Sequence, residues 1–224
     1  MKKKLAVISA IIAVVACMAG CGFDSAKYVQ SILDNSYKGE TALIMETCKA
    51  TEEEATSIYE SGIEELVMSA VTPSVYNMMD ETNRNLYKDA YKRMLSMADY
   101  TVGEATTQKD GTYVVELKCH KMKFFVPYNE KAQAEMLKYT DELTQNAAEA
   151  GTTPSQEEIY NALYKIDIDT MTEVLDNLEY YPDEEVVLVH VIKSASGNTF
   201  EIDPSDIETV QCALMDINEF AAAQ

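Results

Sequence analysis

His120 and His190 are the chain's only two imidazoles, so any proton-transfer chemistry at neutral pH would start with them. Both fall in runs that read as strands. Adjacent strands could bring them together, and Glu116 or Glu185 could orient one as a general base. The alternative is a pair of half-exposed structural residues among lysines and aliphatics. No Gly-x-Ser-x-Gly, Ser-x-x-Lys or His-Glu-x-x-His occurs, which removes the familiar nucleophile and zinc-protease patterns. Asp167, Asp169 and Glu173 alternate somewhat like a calcium loop, but the turn glycine and terminal glutamate of an EF-hand are missing. Their surroundings have a helical period, so they read as a solvated face. Basic side chains are scarce and therefore informative. Lys118, Lys121 and Lys123 cluster around His120 and form a candidate patch for an anion or a partner. Arg84, Lys88 and Lys92 share one helix face. Ordinary pairing with nearby acids, including Asp89 and Glu116, is the competing explanation for both groups. No catalytic residue, metal ligand or cofactor-binding residue is assigned, and no cofactor is expected.

Composition narrows the classes further. The chain has 224 residues, 47% of them hydrophobic, with 38 acidic against 18 basic side chains. That length suits one domain, or a domain with a helical extension, and the apolar fraction rules out wholesale disorder. A formal charge of −20 argues against nucleic acid as a partner, because phosphate backbones demand compensating cations. Fourteen tyrosines and no tryptophan suit either an interface or the rim of a core.

The first twenty residues read as an export leader. Met1-Lys2-Lys3-Lys4 is a basic start, and Leu5 to Ala16 is an apolar run too short to cross a bilayer. Met18-Ala19-Gly20-Cys21 then resembles the bacterial lipobox, in which the cysteine receives a diacylglycerol and becomes the new N-terminus. Met18 departs from the usual leucine or valine. Val14-Val15-Ala16-Cys17 also fits, with a shorter apolar run, and Cys21 is the preferred lipidation site. Residues 1–20 are then the signal peptide, and their loss moves the formal charge from −20 to −23. Such a body is repelled by anionic lipid, so attachment would rest on acyl chains. The expected location is the outer face of the cytoplasmic membrane. Three cysteines remain, Cys48, Cys119 and Cys212. They read as small buried hydrophobes, with a single disulfide as the alternative.

Residues 21–224 read as one α+β domain, with a helical part at 21–98 and a sheet-containing part at 99–220. Asp24 and Ser25 open a first helix that closes near Gly39, and a short one covers Thr41 to Lys49. Thr51-Glu52-Glu53-Glu54 is a capping box for a third. A long helix is expected from Ser74 to about Met97. The pattern then turns to β. Tyr100 to Ala105 and Tyr113 to Cys119 flank Lys109-Asp110-Gly111-Thr112, a hairpin signal. The apolar set changes parity at Met122, Phe124 and Val126, which predicts a bulge between His120 and Lys123. Helices follow at Tyr128 to Ala150 and, behind a second capping box at Ser155 to Glu158, up to Leu178; they are an insertion spanning 128–182. Strands at Glu185 to Lys193 and Thr199 to Ile202 precede a helix capped by Asp203, with Ile207, Val210, Leu214 and Ile217 inward. All five prolines sit where elements are expected to start or end. The sum is a four-stranded antiparallel curved sheet, ββ-αα-ββ-α, packed against helices.

Four stretches carry a resemblance: Tyr28 to Gly39, Thr51 to Ala55, Tyr100 to Ala105, and Phe200 to Asp203 with its helix. Together they resemble a group of uncharacterised Gram-positive lipoproteins, although Phe200 stands where related closing strands carry tryptophan. The resemblance implies a cystatin-like or nuclear-transport-factor-like sheet, with no activity or catalytic residue to carry over. The expected function is therefore non-enzymatic binding of a protein or small molecule at the cell surface. The alternative is a small enzyme using a pocket in the curved sheet, with His120 and His190 as acid and base.

Overall fold

The computed structural model describes residues 17–18, 23–71, 73–150, 154–194 and 199–222. In α1 (Ser25–Lys38) the Asp24 carboxylate accepts from the Lys27 amide at 3.0 Å and fixes the helix start. The helix stops at Gly39, whose φ of 68° is left-handed. A Cβ there would lie 2.7 Å from the Tyr59 ring, so glycine is required twice over. The chain doubles back as α2 (Ala42–Cys48), tied to α1 through Thr47–Ser31 and Lys27–Glu46 contacts. The Thr51/Glu54 box then opens α3 (Glu52–Val71) as expected. Asn35 donates to the Ala55 carbonyl and Tyr59 packs on Gly39, so α3 runs beside α1 in the same direction and continues past its end.

The single helix expected from Ser74 to Met97 is two, α4 (Pro73–Met78) and α5 (Glu81–Ser96). Asp80 breaks it, because its carboxylate accepts from the Asn83 amide at 2.7 Å and caps α5. The returning helix lies against α3 through Lys92–Glu60 and Lys88–Glu64 pairs.

The sheet combines β2 (Asp99–Thr107), β3 (Tyr113–Lys123), β4 (Glu179–Lys193) and β5 (Thr199–Ile202), antiparallel throughout, in the order β5-β4-β3-β2. A two-residue strand, β1 (Cys17–Met18), extends it beyond β5, pairing Cys17 with Phe200 and Met18 with Thr199. These two residues lie inside the segment read as a leader. The β2–β3 turn has Gly111 at φ 82° and Asp110 accepting from the Thr112 amide and hydroxyl. The predicted bulge falls between His120 and Met122. There Tyr181-Pro182-Asp183 face Lys121 alone. Pro182 thus lies inside β4 rather than at its start, in the one stretch where no ladder donor is required.

Between β3 and β4 stand α6 (Phe125–Ala150) and α7 (Gln156–Asp176), and after β5 come α8 (Pro204–Leu214) and α9 (Ile217–Ala222). Val126, expected in the strand, is in the first turn of α6. The cause is distant in sequence: Asp216 accepts from the amides of Phe124, Phe125 and Val126 at 3.0, 2.7 and 3.1 Å. Those amides are the orphan donors of the helix start. One hydrophobic core runs through both parts, from Val29, Leu33 and Met94 to Val115, Leu117, Val189, Val210 and Leu214. The opposite sheet face exposes Lys118, Val186 and Leu188.

Candidate functional site

The two histidines do not share a centre. His120 stands opposite Glu184 and His190 opposite Val114, six residues apart along β3, which at about 3.3 Å per residue is roughly 20 Å. Neither is oriented by Glu116 or Glu185. His120 Nδ1 meets Asp99 at 2.9 Å across the hairpin, and His190 Nδ1 meets Asp206 at 2.9 Å. The same Asp206 oxygen accepts from the His190 amide at 2.6 Å, so this pair fastens α8 to β4.

The three lysines of the sequence-derived patch all face carboxylates. Lys118 lies 3.6 Å from Glu184, and Lys123 lies 3.3 Å from Glu179. Lys121 is drawn inward at the bulge and sits between Glu185 at 2.9 Å and Glu219 at 3.0 Å. Desolvation opposes its charge, but the two carboxylates outweigh that and hold its pKa above the ordinary value. Lys121 is therefore a strut between the sheet and α9. Lys88 and Lys92 pair with α3 as described, and Arg84 lies over the Tyr76 ring.

Asp167, read as part of a solvated face, is instead the acceptor for two tyrosine hydroxyls. Tyr87 donates to it at 2.5 Å from α5, and Tyr128 donates to it from α6. Burial first, and the Asp167 charge second, push both tyrosines far above their ordinary pKa. Helical period alone could not find this cluster, because Asp167 and its two donors lie on three helices.

A cleft of about 560 Å³ opens where β3 ends and α6 begins. Lys123 and Tyr181 line it from the sheet, with the ammonium 5.2 Å from the ring centroid. Lys131 comes from α6 and Glu173 from α7, and the two are ion-paired. Glu130 and Glu179 complete the charged rim, and the fully buried Asp216 closes the floor. Of these, Lys123 was a candidate from sequence for a patch, and Glu173 was weighed there only as part of a calcium-like alternation. The rest needed the bulge and the remote cap to bring them together. The Asp216 carboxyl titrates above its ordinary range because desolvation outweighs its three backbone donors. All three are helix amides, so its oxygens serve structure. Among the described residues no group of histidine, cysteine and carboxylate side chains could hold a metal ion.

Cys119 and Cys212 are free thiols, and burial pushes the Cys119 thiol up to about 12, which leaves it inert. Cys48 is disulfide-bonded rather than a free thiol, and neither Cys119 nor Cys212 is its partner. Cys21 itself lies outside the described residues.

No family model and no curated protein matches the chain. Among solved structures it is similar to that of ycdA, a Bacillus subtilis protein classed as a lipoprotein, with a TM-score of 0.50 and 14% identity. The match covers 86% of this chain and 56% of that one, so the chain spans just over half the length of its structural neighbour. At that identity the likeness is one of fold: helices followed by an antiparallel sheet packed against them.

Proposed function

We propose that the protein is a lipid-anchored module on the outer face of the cytoplasmic membrane that works by binding, with the cleft at Lys123, Lys131, Glu173 and Tyr181 as its ligand site. The cleft's composition carries this reading. It offers two ammonium groups, several carboxylates and an aromatic face, with no activated nucleophile among them. Such a rim suits a small zwitterion, for instance an amino acid or a short peptide, whose charges would exchange with the internal Lys131–Glu173 and Lys123–Glu179 pairs. The histidines, some 20 Å apart, favour binding over the acid–base alternative. A one-faced antiparallel sheet on helices is also what the cystatin-like or nuclear-transport-factor-like resemblance would require. No described helix is long and apolar enough to cross a membrane. That agrees with a lipid tether at Cys21.

Two experiments test the proposal. Calorimetric titration of the folded body with a panel of amino acids and dipeptides should give saturable binding that Lys131→Ala and Glu173→Ala both weaken. Binding untouched by either change, no binding at all, or turnover of a panel member abolished by His120→Ala or His190→Ala would overturn it. For the tether, Cys21→Ser should leave unprocessed precursor without labelled fatty acid. Thiol titration of the denatured mature protein separates the two candidate sites. Acylation at Cys21 removes Cys17 and leaves three thiols, Cys48, Cys119 and Cys212, because the last two are free in the fold. Acylation at Cys17 retains Cys21, which allows Cys48 a partner and leaves two.

A further inference from the structure

The outer edge of β5 is filled by a piece of the leader. Backbone groups alternate in direction along β5. The Ser194 amide donates to the Thr199 carbonyl at 2.9 Å, and the Asp203 amide donates to the His190 carbonyl at 2.8 Å. Thr199, Glu201 and Asp203 therefore turn their backbone toward β4, while Phe200 and Ile202 turn theirs outward. The Ile202 amide is met by the Tyr28 hydroxyl, so the Phe200 amide and carbonyl are what an added strand engages. β1 takes that place, with Cys17 opposite Phe200 and α2 packed beside it.

Cleavage before Cys21 removes β1. Phe23 stays, its ring stacked on Phe200 at 4.4 Å and 5.6 Å from Tyr28 and Tyr113, so β5 keeps its support from behind. The outward edge of β5 loses its described strand. The other edge of the sheet differs, because β2 carries a register shift between Val102 and Ala105, a device that discourages added strands. β5 pairs with β4 without such a shift. Cys21 precedes Phe23 by two residues, so about 7 Å of chain holds the opened edge beside the tether.

We infer that processing turns the β5 edge into an acceptor for an extended segment of a partner protein, which adds antiparallel to β5 through the Phe200 amide and carbonyl. Opposite residues of an antiparallel pair share a face, and Phe200 is buried. The segment thus places an apolar side chain on the core face at that position. The leader has the matching chemistry, since residues 13–20 carry no charge. A second copy of this chain is disfavoured, because each mature body has a formal charge of −23 and the two repel. A single pair of main-chain bonds is weak in solution, and a partner confined to the same membrane offsets that by effective concentration. The inference rests on cleavage before Cys21, and the test separates the two.

Mature lipoprotein and the unprocessed Cys21→Ser chain are compared in neutral detergent under reducing conditions, with exchange of the Phe200 amide followed by NMR. That amide should be protected in the precursor and should exchange about tenfold faster in the mature protein. The probe is a peptide of residues 13–20 with Cys17→Ser and a neutral ethylene-glycol tail. It should restore protection saturably in the mature protein. Methylating its backbone nitrogen at position 17, which faces Phe200, should weaken binding about tenfold, whereas methylation at position 18, which faces away, should not. Equal exchange in the two proteins, no restoration by the probe, or equal loss from both methylations would overturn the acceptor. Protection in the mature protein that rises with its own concentration would assign the edge to a second copy and overturn the partner. Mass measurement reads the tether independently. Acylated Cys17 keeps β1 in place and refutes the opening of the edge together with the Cys21 tether; acylated Cys21 without probe binding refutes the acceptor alone.

Discussion

The two ends of the sheet are built by different means. At the near end, where β3 starts, the turn is written in adjacent residues: Asp110 and Gly111 close the β2–β3 hairpin, while the Phe23, Tyr113 and Phe200 rings behind it come from distant parts of the chain. At the far end almost nothing is local. Asp216 starts α6 from 90 residues away, the Tyr180 hydroxyl donates to the Met97 carbonyl at 2.6 Å, and Lys121 reaches Glu219. The β2–β3 turn closes on contacts that a short segment can begin to form by itself, whereas the far end exists only once the whole chain is in place. The candidate cleft belongs to the second kind. Its geometry therefore depends on tertiary polar contacts more than on any one segment.

That contrast can be broken most forcefully at Asp216. Asp216→Ala strands three helix amides in a buried setting and should cost roughly 3–5 kcal/mol in urea unfolding, with loss of the cleft. A cost below about 1 kcal/mol would mean that α6 starts on local grounds. The near end should be less sensitive. Phe23→Ala removes one stacked ring at a half-buried site, for about 2 kcal/mol, while the Asp110–Gly111 turn keeps the hairpin. A third comparison lies between the long-range cluster at Asp167 and the local box at Ser155. Asp167→Ala leaves the Tyr87 and Tyr128 hydroxyls without their acceptor and should cost about 2 kcal/mol. Ser155→Ala removes an exposed cap for about 1 kcal/mol, and amide exchange should show fraying confined to the first turn of α7.

The smallest effect is that of pH, and its sign differs between the local caps and the remote one. Backbone and hydroxyl bonds hold Glu54, Glu158 and Asp203 below their ordinary values of 4.5, 4.5 and 3.8. Their contribution is present above those values and lost as pH falls through the lowered native ones. Asp216 is raised by desolvation, so its proton-linked contribution is present below 3.8 and lost as pH rises through the native value. Acid titration of stability should thus fall below about pH 4. The difference between the native protein and Asp216→Asn should widen as pH drops. A gap that narrows would mean that the three amides outweigh burial at this carboxylate.

Elements whose signals are local could be read from the chain alone: the Thr51 and Ser155 capping boxes, the Asp-Gly hairpin, the parity change that becomes the bulge, and the inward stripe Ile207, Val210 and Leu214, although Ile217, expected on the same helix, falls on α9 beyond a break at Met215. The caps and the turn depend on side chains hydrogen-bonding backbone a few residues away, and the bulge and stripe on periodic burial, both of which spacing records directly. The early start of α6, the break at Asp80, the partners of the two histidines and the tyrosine cluster at Asp167 came only with the tertiary structure. The Asp80 break has a local cause, masked by an apolar stripe continuous on both sides. The others arise from contacts among segments 16 to 92 residues apart. A carboxylate in a helical run carries no mark of whether it faces water, a hydroxyl or a distant helix start, and only packing decides among them.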